Sequence, residues 1–186
     1  EGPIGIGHRR LSIVDLGPGG DQPMSSPDAR FVLSYNGELY NFRYLKKLLQ
    51  EKGLKFQTNS DTEVVLLALA HWGIEAVQRF NGMFAFALWD RQEKVLFLAR
   101  DRYGIKPLYI CRQGQTLWFA SEQKAICADP RFKRILDERA LVEYMTFQNL
   151  LTQRTLFQDL EIVPAGHWLR ISLHTGEFRF SKYWDF

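Results

Sequence analysis

The sequence predicts an α+β fold of stacked sheets and helix layers, and three observations carry that prediction. Between Met83 and Glu122 four segments rich in aromatic and aliphatic residues follow one another with only turn signals between them, the pattern of locally joined antiparallel strands. Two helical segments precede this cluster, and strands and helices grouped in this way favour packed layers over strict alternation. A doubly wound parallel sheet is disfavoured: Gly5-Ile6-Gly7-His8-Arg9-Arg10 lacks the third glycine of a dinucleotide fingerprint, and no Walker-type loop occurs.

Residues 4–14 read as a strand and its exit, opening on the alternation of Ile4 and Ile6 and ending in the loop punctuation Gly17-Pro18-Gly19-Gly20. The start is apolar and carries no initiator Met, so the chain is expected to begin inside a fold. Phe31 to Tyr35 reads as a strand that delivers Asn36-Gly37-Glu38 into a turn. Asn41 is placed to cap a helix in which Phe42, Leu45, Leu48 and Leu49 share a face and which Gly53 stops. Ser60-Asp61-Thr62-Glu63 has the form of a capping box, and the run from Val64 to Trp72 before Gly73 reads as a nearly buried helix. The four clustered strands are 83–89, 95–99, 108–111 and 117–120. A short helix is expected over 137–147, and 167–173 with 177–183 forms a hairpin around Thr175-Gly176.

At 186 residues and 46% hydrophobic content the chain can bury a core, and one domain over 1–186 is expected. Its 24 basic and 21 acidic residues leave a net charge of +3 with no basic stripe, which argues against a nucleic-acid partner. The longest apolar run, Val64 to Ala70, is far shorter than the roughly 20 residues that span a bilayer. No leader opens the sequence, and its two cysteines, Cys111 and Cys127, form no CxxC pair, so a cytoplasmic, soluble protein without a membrane partner is expected. The four histidines, at 8, 71, 167 and 174, lack metal-ligand spacing, and no metal site is expected. There is no G-x-S-x-G elbow.

The polar residues that stand where elements end remain as candidates. Arg10 closes a strand before the apolar-rich Leu11-Ser12-Ile13-Val14; it reads either as a surface ion pair or as a bidentate clamp on a substrate carboxylate. Asn36-Gly37 has hairpin chemistry, yet 39–49 looks helical and supplies no returning strand. The alternative is a side-chain amide and a glycine N–H acting together as donors to an oxyanion. Asp61, in the first turn of its helix, either serves the helix dipole or, with Ser60 as the cap, holds a substrate ammonium group. A cation, an anion and a donor pair together complement an amino acid with a side-chain carbonyl. Arg100-Asp101-Arg102 reads as a charged turn between two strands, held by ion pairs.

Six segments now converge on a resemblance. In order they are Gly7-His8-Arg9-Arg10-Leu11-Ser12-Ile13-Val14-Asp15-Leu16, Tyr35-Asn36-Gly37-Glu38-Leu39-Tyr40-Asn41, Ser60-Asp61-Thr62-Glu63, Phe80-Asn81-Gly82-Met83-Phe84-Ala85-Phe86-Ala87, Arg100-Asp101-Arg102-Tyr103-Gly104-Ile105-Lys106-Pro107-Leu108-Tyr109, and Phe119-Ala120-Ser121-Glu122. Together they resemble the glutaminase domain, a class II glutamine amidotransferase, of glutamine-hydrolysing asparagine synthetases. The resemblance implies an N-terminal-nucleophile hydrolase fold, an αββα sandwich of two antiparallel sheets between helix layers. It implies that Arg10 binds the glutamine α-carboxylate and Asp61 its α-ammonium. Asn36 and Gly37 hold the oxyanion, and Leu11, Ser12, Ile13, Val14 and Glu38 line the pocket.

In that family the attacking group is the thiol of a processed amino-terminal Cys whose own α-amine is the base, giving a γ-glutamyl thioester and ammonia. This sequence departs there. Cys111 falls in a strand and Cys127 in a helix, so both read as ordinary buried thiols, and the family segment before Gly5 is missing. The expectation is a domain that binds L-glutamine without turning it over. In the complete protein it would hydrolyse glutamine and feed ammonia to an ATP-dependent synthetase domain amidating aspartate. That C-terminal partner domain, whose junction Trp184-Asp185 resembles, is expected outside this chain together with its ATP and Mg; no cofactor is expected in this domain. The final acceptor is left open, as is the choice between monomer and homodimer. The competing reading is a non-catalytic pseudo-glutaminase or a scaffold module for a synthetase domain.

Overall fold

The computed structural model describes residues 4–9 and 20–185. Its elements run β1 (Met24–Ser25), β2 (Phe31–Leu39), α1 (Phe42–Glu51), α2 (Asp61–Trp72), a 3₁₀ segment (Ile74–Arg79), β3 (Gly82–Asp90), β4 (Val95–Arg100), β5 (Tyr109–Gln113), β6 (Thr116–Ala120), α3 (Gln123–Cys127), α4 (Glu138–Phe147), β7 (Leu160–Ile162), β8 (His167–Ser172) and β9 (Phe178–Lys182). They build a six-stranded sheet in the order β1-β2-β3-β4-β8-β9 and a three-stranded sheet in the order β6-β5-β7. All pairings are antiparallel.

Three apolar clusters mark three interfaces between four layers. Period-2 alternation sends Leu33, Tyr35 and Leu39 of β2 and Phe84, Phe86 and Leu88 of β3 against Leu45 and Leu49 of α1 and the buried run of α2. The opposite face of the same sheet, including Ala85, Ala87, Leu98 and Leu169, meets Leu117 and Phe119 of β6 and Ile110 of β5. Beyond the second sheet, Cys111, Trp118 and Leu160 pack under Ile126 and Phe132. This is the expected αββα sandwich. Each fully buried Phe or Leu contributes roughly 1.5–3 kcal/mol relative to an exposed one, so the two faces of β3 anchor both halves of the core.

The helices follow local chemistry closely. Ser60 caps α2 by accepting from the Thr62 N–H, and Gly73 follows at φ +68. Glu63 does not return the capping box; it accepts from the Gln57 and Thr58 N–H groups and the Thr58 hydroxyl, pinning the entering loop. Asn41 stands at the start of α1 without capping it, because its amide bridges Arg79 O and Asn81 N. In the last hairpin Gly176 adopts φ +68, as the Thr175-Gly176 turn requires.

Two strand expectations need correction. Residues 4–9 alternate between half-buried and exposed, with Ile4 and Ile6 packed between the sheets, but they join no ladder; 10–19 lie outside the described residues. Asn36-Gly37-Glu38 does not form a turn. β2 runs on through Leu39, pairing Asn36 with Ala85, Gly37 with Phe84 and Glu38 with Met83. Glycine is required there by a close approach of strands: a Cβ on Gly37 would lie 2.4 Å from Met83 O.

Candidate functional site

The sandwich is not filled at one end. Ala85 and Ala87 present only methyl groups between the sheets, and next to them a cleft of ≈ 580 Å³ opens, within the range of small-molecule sites. Asn36, Gly37 and Glu38 of β2 and Asp61 of α2 all line it, as do His8 and Arg9 before β1 and Ser121 after β6. Four of the nine residues expected at a site therefore share one cavity. The other five, Arg10, Leu11, Ser12, Ile13 and Val14, lie outside the described residues, although the chain reaches the cleft wall at Arg9.

The register of β2 determines which groups face the cleft. In an antiparallel strand the N–H and C=O of one residue point to the same side, and successive residues alternate sides. Phe84, opposite Gly37, gives its O to Asp101 N at 2.8 Å and its N–H to Asp101 Oδ2 at 3.2 Å, away from β2. Gly37 consequently turns its N–H away from β3, toward the outer edge of the sheet. On that edge Tyr35 N donates to Gln22 Oε1, while Leu39 N donates to Asp61 Oδ2 at 3.0 Å. Gly37 N–H lies between these two engaged donors, beyond the end of β1, whose pairing with β2 stops at Leu33.

Asn36 points to the other face of the strand, where its Nδ2 donates to Ser121 Oγ at 3.1 Å. That bond uses one of two amide hydrogens and leaves the other for a ligand. Asn36 and Gly37 thus both line the cleft and bring to it a side-chain amide and a backbone N–H, donor types that can serve a developing oxyanion.

Asp61 is 8% exposed. Its Oδ2 accepts from Leu39 N and, at 3.4 Å, from the Tyr35 hydroxyl. Burial raises the pKa of its carboxyl above the ordinary aspartate range, and the donors from Leu39, Tyr35 and the helix start act in the opposite direction. The same burial, reinforced by the Asp61 charge, holds the Tyr35 hydroxyl well above its usual range, so it remains a donor. The cysteines belong elsewhere: Cys111 lies under the second sheet with its thiol pushed up to about 11 by burial, and Cys127 packs against the same cluster. Neither lines the cleft.

Gln22, Tyr35 and Ser121 had no role in the sequence reading, although Tyr35 and Ser121 fall inside recognisable segments. Their signals are contacts across 13, 26 and 85 positions, which no local pattern carries.

Comparisons with known proteins identify the family and the fold. A family model described as a glutamine amidotransferase domain matches residues 1–184. The chain is 40% identical over 180 residues to asparagine synthetase [glutamine-hydrolyzing] 1 of Bacillus subtilis (strain 168), covering 97% of this chain and 28% of that protein. It is 35% identical over 187 residues to amidase chry2 of Gibberella zeae, covering 98% of this chain and 26% of that protein. The chain therefore spans under a third of the length of these relatives. Among solved structures, it is similar to the glutamine phosphoribosylpyrophosphate amidotransferase from B. subtilis complexed with ADP and GMP, with a TM-score of 0.65 at 23% identity, covering 95% of this chain and 34% of that one. A structure of the allosteric regulatory enzyme of purine biosynthesis gives a TM-score of 0.62 at 24% identity, covering 90% of this chain and 33% of that one. At such identities the structures establish the fold, and the match over residues 1–184 establishes the family: this chain belongs to the glutamine amidotransferase domain family.

Proposed function

We propose that the chain is the glutamine-binding domain of an asparagine synthetase-like enzyme. Glutamine would be hydrolysed here to glutamate and ammonia, and a C-terminal synthetase domain would use ATP to amidate aspartate. The observation that carries the reading is the convergence of Asn36, Gly37, Glu38 and Asp61, from two separate elements, on one cleft.

In this reading Asp61 accepts the α-ammonium group and Arg10, which follows the cleft-lining Arg9, pairs with the α-carboxylate. Glu38, with Leu11, Ser12, Ile13 and Val14, forms the remaining wall. The side-chain carboxamide is then directed to the rim where Asn36 and Gly37 stand. Attack on the amide carbon by the thiolate of an amino-terminal Cys would push charge onto the oxygen held by Asn36 Nδ2 and Gly37 N–H. Collapse of that intermediate expels ammonia and leaves a thioester, which water hydrolyses to glutamate. Cys111 and Cys127, which do not line the cleft, have no part in this chemistry.

Charge-assisted hydrogen bonds contribute roughly 1.5–3 kcal/mol each, so free glutamine stabilises the folded chain through linkage. Following thermal unfolding while titrating glutamine tests this. The expected result is a concentration-dependent rise in Tm that Arg10→Ala abolishes; an equal rise in the variant removes the carboxylate clamp.

A further inference from the structure

We infer that Tyr35 is the positioning residue for ammonium recognition in this cleft: its hydroxyl helps to hold the Asp61 carboxylate in the orientation it presents to the ligand. The inference rests on the reading of the cleft as a glutamine site and names a residue which that reading leaves without a role.

Tyr35 cannot move aside. Its side chain is 2% exposed in the core between the six-stranded sheet and α2. Its backbone is held at both polar groups by one side chain, since Gln22 Oε1 accepts from Tyr35 N and Gln22 Nε2 donates to Tyr35 O at 2.9 Å. From that fixed position the hydroxyl reaches Asp61 Oδ2 at 3.4 Å, and Leu39 N–H reaches the same oxygen at 3.0 Å. Two donors four residues apart on one strand therefore grip a single oxygen. The N–H groups of Asp61 and Thr62 at the helix start act on the same carboxylate, and Asp61 lines the cleft. The carboxylate is held from both the strand and its own helix, and it borders the cleft.

A carboxylate tied in this way suits a primary ammonium group, which needs a fixed anion at its approach side and loses affinity if that anion can rotate or take up a proton. Without Tyr35, Oδ2 keeps the Leu39 N–H as its donor from the strand. The Tyr35 hydroxyl adds a second donor at that oxygen, narrowing the carboxylate's freedom, and as a donor it favours the charged form against burial. The other charged and titratable groups on the cleft wall are His8 and Arg9 before β1, Glu38 on β2, Lys106 before β5, and Glu122 and Lys124 at the start of α3. Glu122 and Lys124 pair with each other at the surface.

The experiment measures binding of glutamine, and of 4-carbamoylbutanoate, the same molecule without its α-amine, to the wild-type chain and to Tyr35→Phe by calorimetry between pH 4.5 and 8. Tyr35→Phe should weaken glutamine about tenfold near neutral pH, the effect of roughly one hydrogen bond to a charged group. It should leave 4-carbamoylbutanoate unchanged and move the acid limb of glutamine binding to higher pH. An equal loss for both ligands, or no loss for glutamine, overturns the inference while leaving glutamine binding in place. A wild-type chain that binds neither ligand overturns the glutamine reading itself, and the inference with it. A measurement on the unsubstituted chain guards against a variant that does not fold: the Tyr35 Cζ carbon resonance should titrate with the same midpoint as the Asp61 Cγ. Separate midpoints refute the coupling.

Discussion

Two buried aspartates, forty residues apart in sequence, show what separates a structural carboxylate from one available to a ligand. Asp101 is 0% exposed and sits where the chain leaves β4 for the second sheet. Its oxygens accept from the N–H groups of Phe84, Tyr103, Ile105 and Lys106. Its carbonyl accepts from Gly104 and Gly166 as well. Asp61 is almost as deeply placed, yet it borders the cleft, and its two strand donors, Leu39 N and the Tyr35 hydroxyl, fall on one oxygen. Burial is common to both residues; the cleft beside Asp61 tells them apart.

The largest expected effect breaks the comparison from the Asp101 side. Asp101→Ala leaves four N–H groups without their acceptor, that of Phe84 buried and those of Tyr103, Ile105 and Lys106 partly buried. Each orphaned donor costs about 1–3 kcal/mol, with incomplete additivity, so a loss of about 4 kcal/mol or more is expected in denaturant unfolding. A loss under about 1 kcal/mol would mean that the corner does not depend on this carboxylate. The neighbouring Arg100 plays the complementary part, donating to the carbonyls of Lys106, Val163 and Gly104. Among the described residues the corner is thus held by side chain to backbone bonds, and the salt bridges found there include none of Arg100, Asp101 or Arg102. Gly104, at φ +65, lets that carbonyl be reached: a Cβ there would lie 2.9 Å from the guanidinium carbon.

The next effect concerns the cleft alone. In a chain carrying the family's amino-terminal Cys ahead of this sequence, Asn36→Ala should raise the barrier to glutamine hydrolysis by about 3 kcal/mol, lowering kcat by two orders of magnitude or more. Because, among the described residues, the Asn36 side chain makes one hydrogen bond, to Ser121 Oγ, stability should change little beside the Asp101 variant. Unchanged turnover removes Asn36 from the oxyanion site and leaves Gly37 N–H as the sole donor at that rim.

How much of this could be read beforehand depended on the range of the interaction. The cap at Ser60, the helices α1 and α2, and the hairpin of β8 and β9 arise from neighbours within a few residues, and the sequence pattern marks them plainly. The joining of β8 to β4 depends on residues some 70 positions apart, and no local signal announces it. β1 and β7, of two and three residues, are too short for any periodicity to register. Asn36-Gly37 misled for a physical reason. Both residue types are depleted in strands, and what holds them in one is the approach of Met83 and Phe84 across the sheet, which only glycine permits. The candidate residues Asn36, Gly37, Glu38 and Asp61 were legible by residue type and motif, while the groups that orient them, Gln22, Tyr35 and Ser121, became visible only in three dimensions.

The smallest effect sharpens the contrast most, because its sign differs from that at Asp101. Asp61→Asn keeps an oxygen for Leu39 N and the Tyr35 hydroxyl but removes a charge that burial disfavours. Since the folded carboxyl titrates above the unfolded one, the wild-type residue binds its proton more tightly in the native state. Its contribution to stability is then fullest below the unfolded value of 3.8 and declines as pH rises through the raised folded value. Asparagine has no such dependence. Asp61→Asn should therefore melt at or above the wild-type temperature at pH 7, with the difference closing as pH falls toward the ordinary aspartate range, while losing the stabilisation by glutamine. A variant less stable than wild type at pH 7, with the gap narrowing in acid, would show that the Asp61 charge supports the fold, as the Asp101 carboxylate does, and would leave the cleft without its ammonium partner.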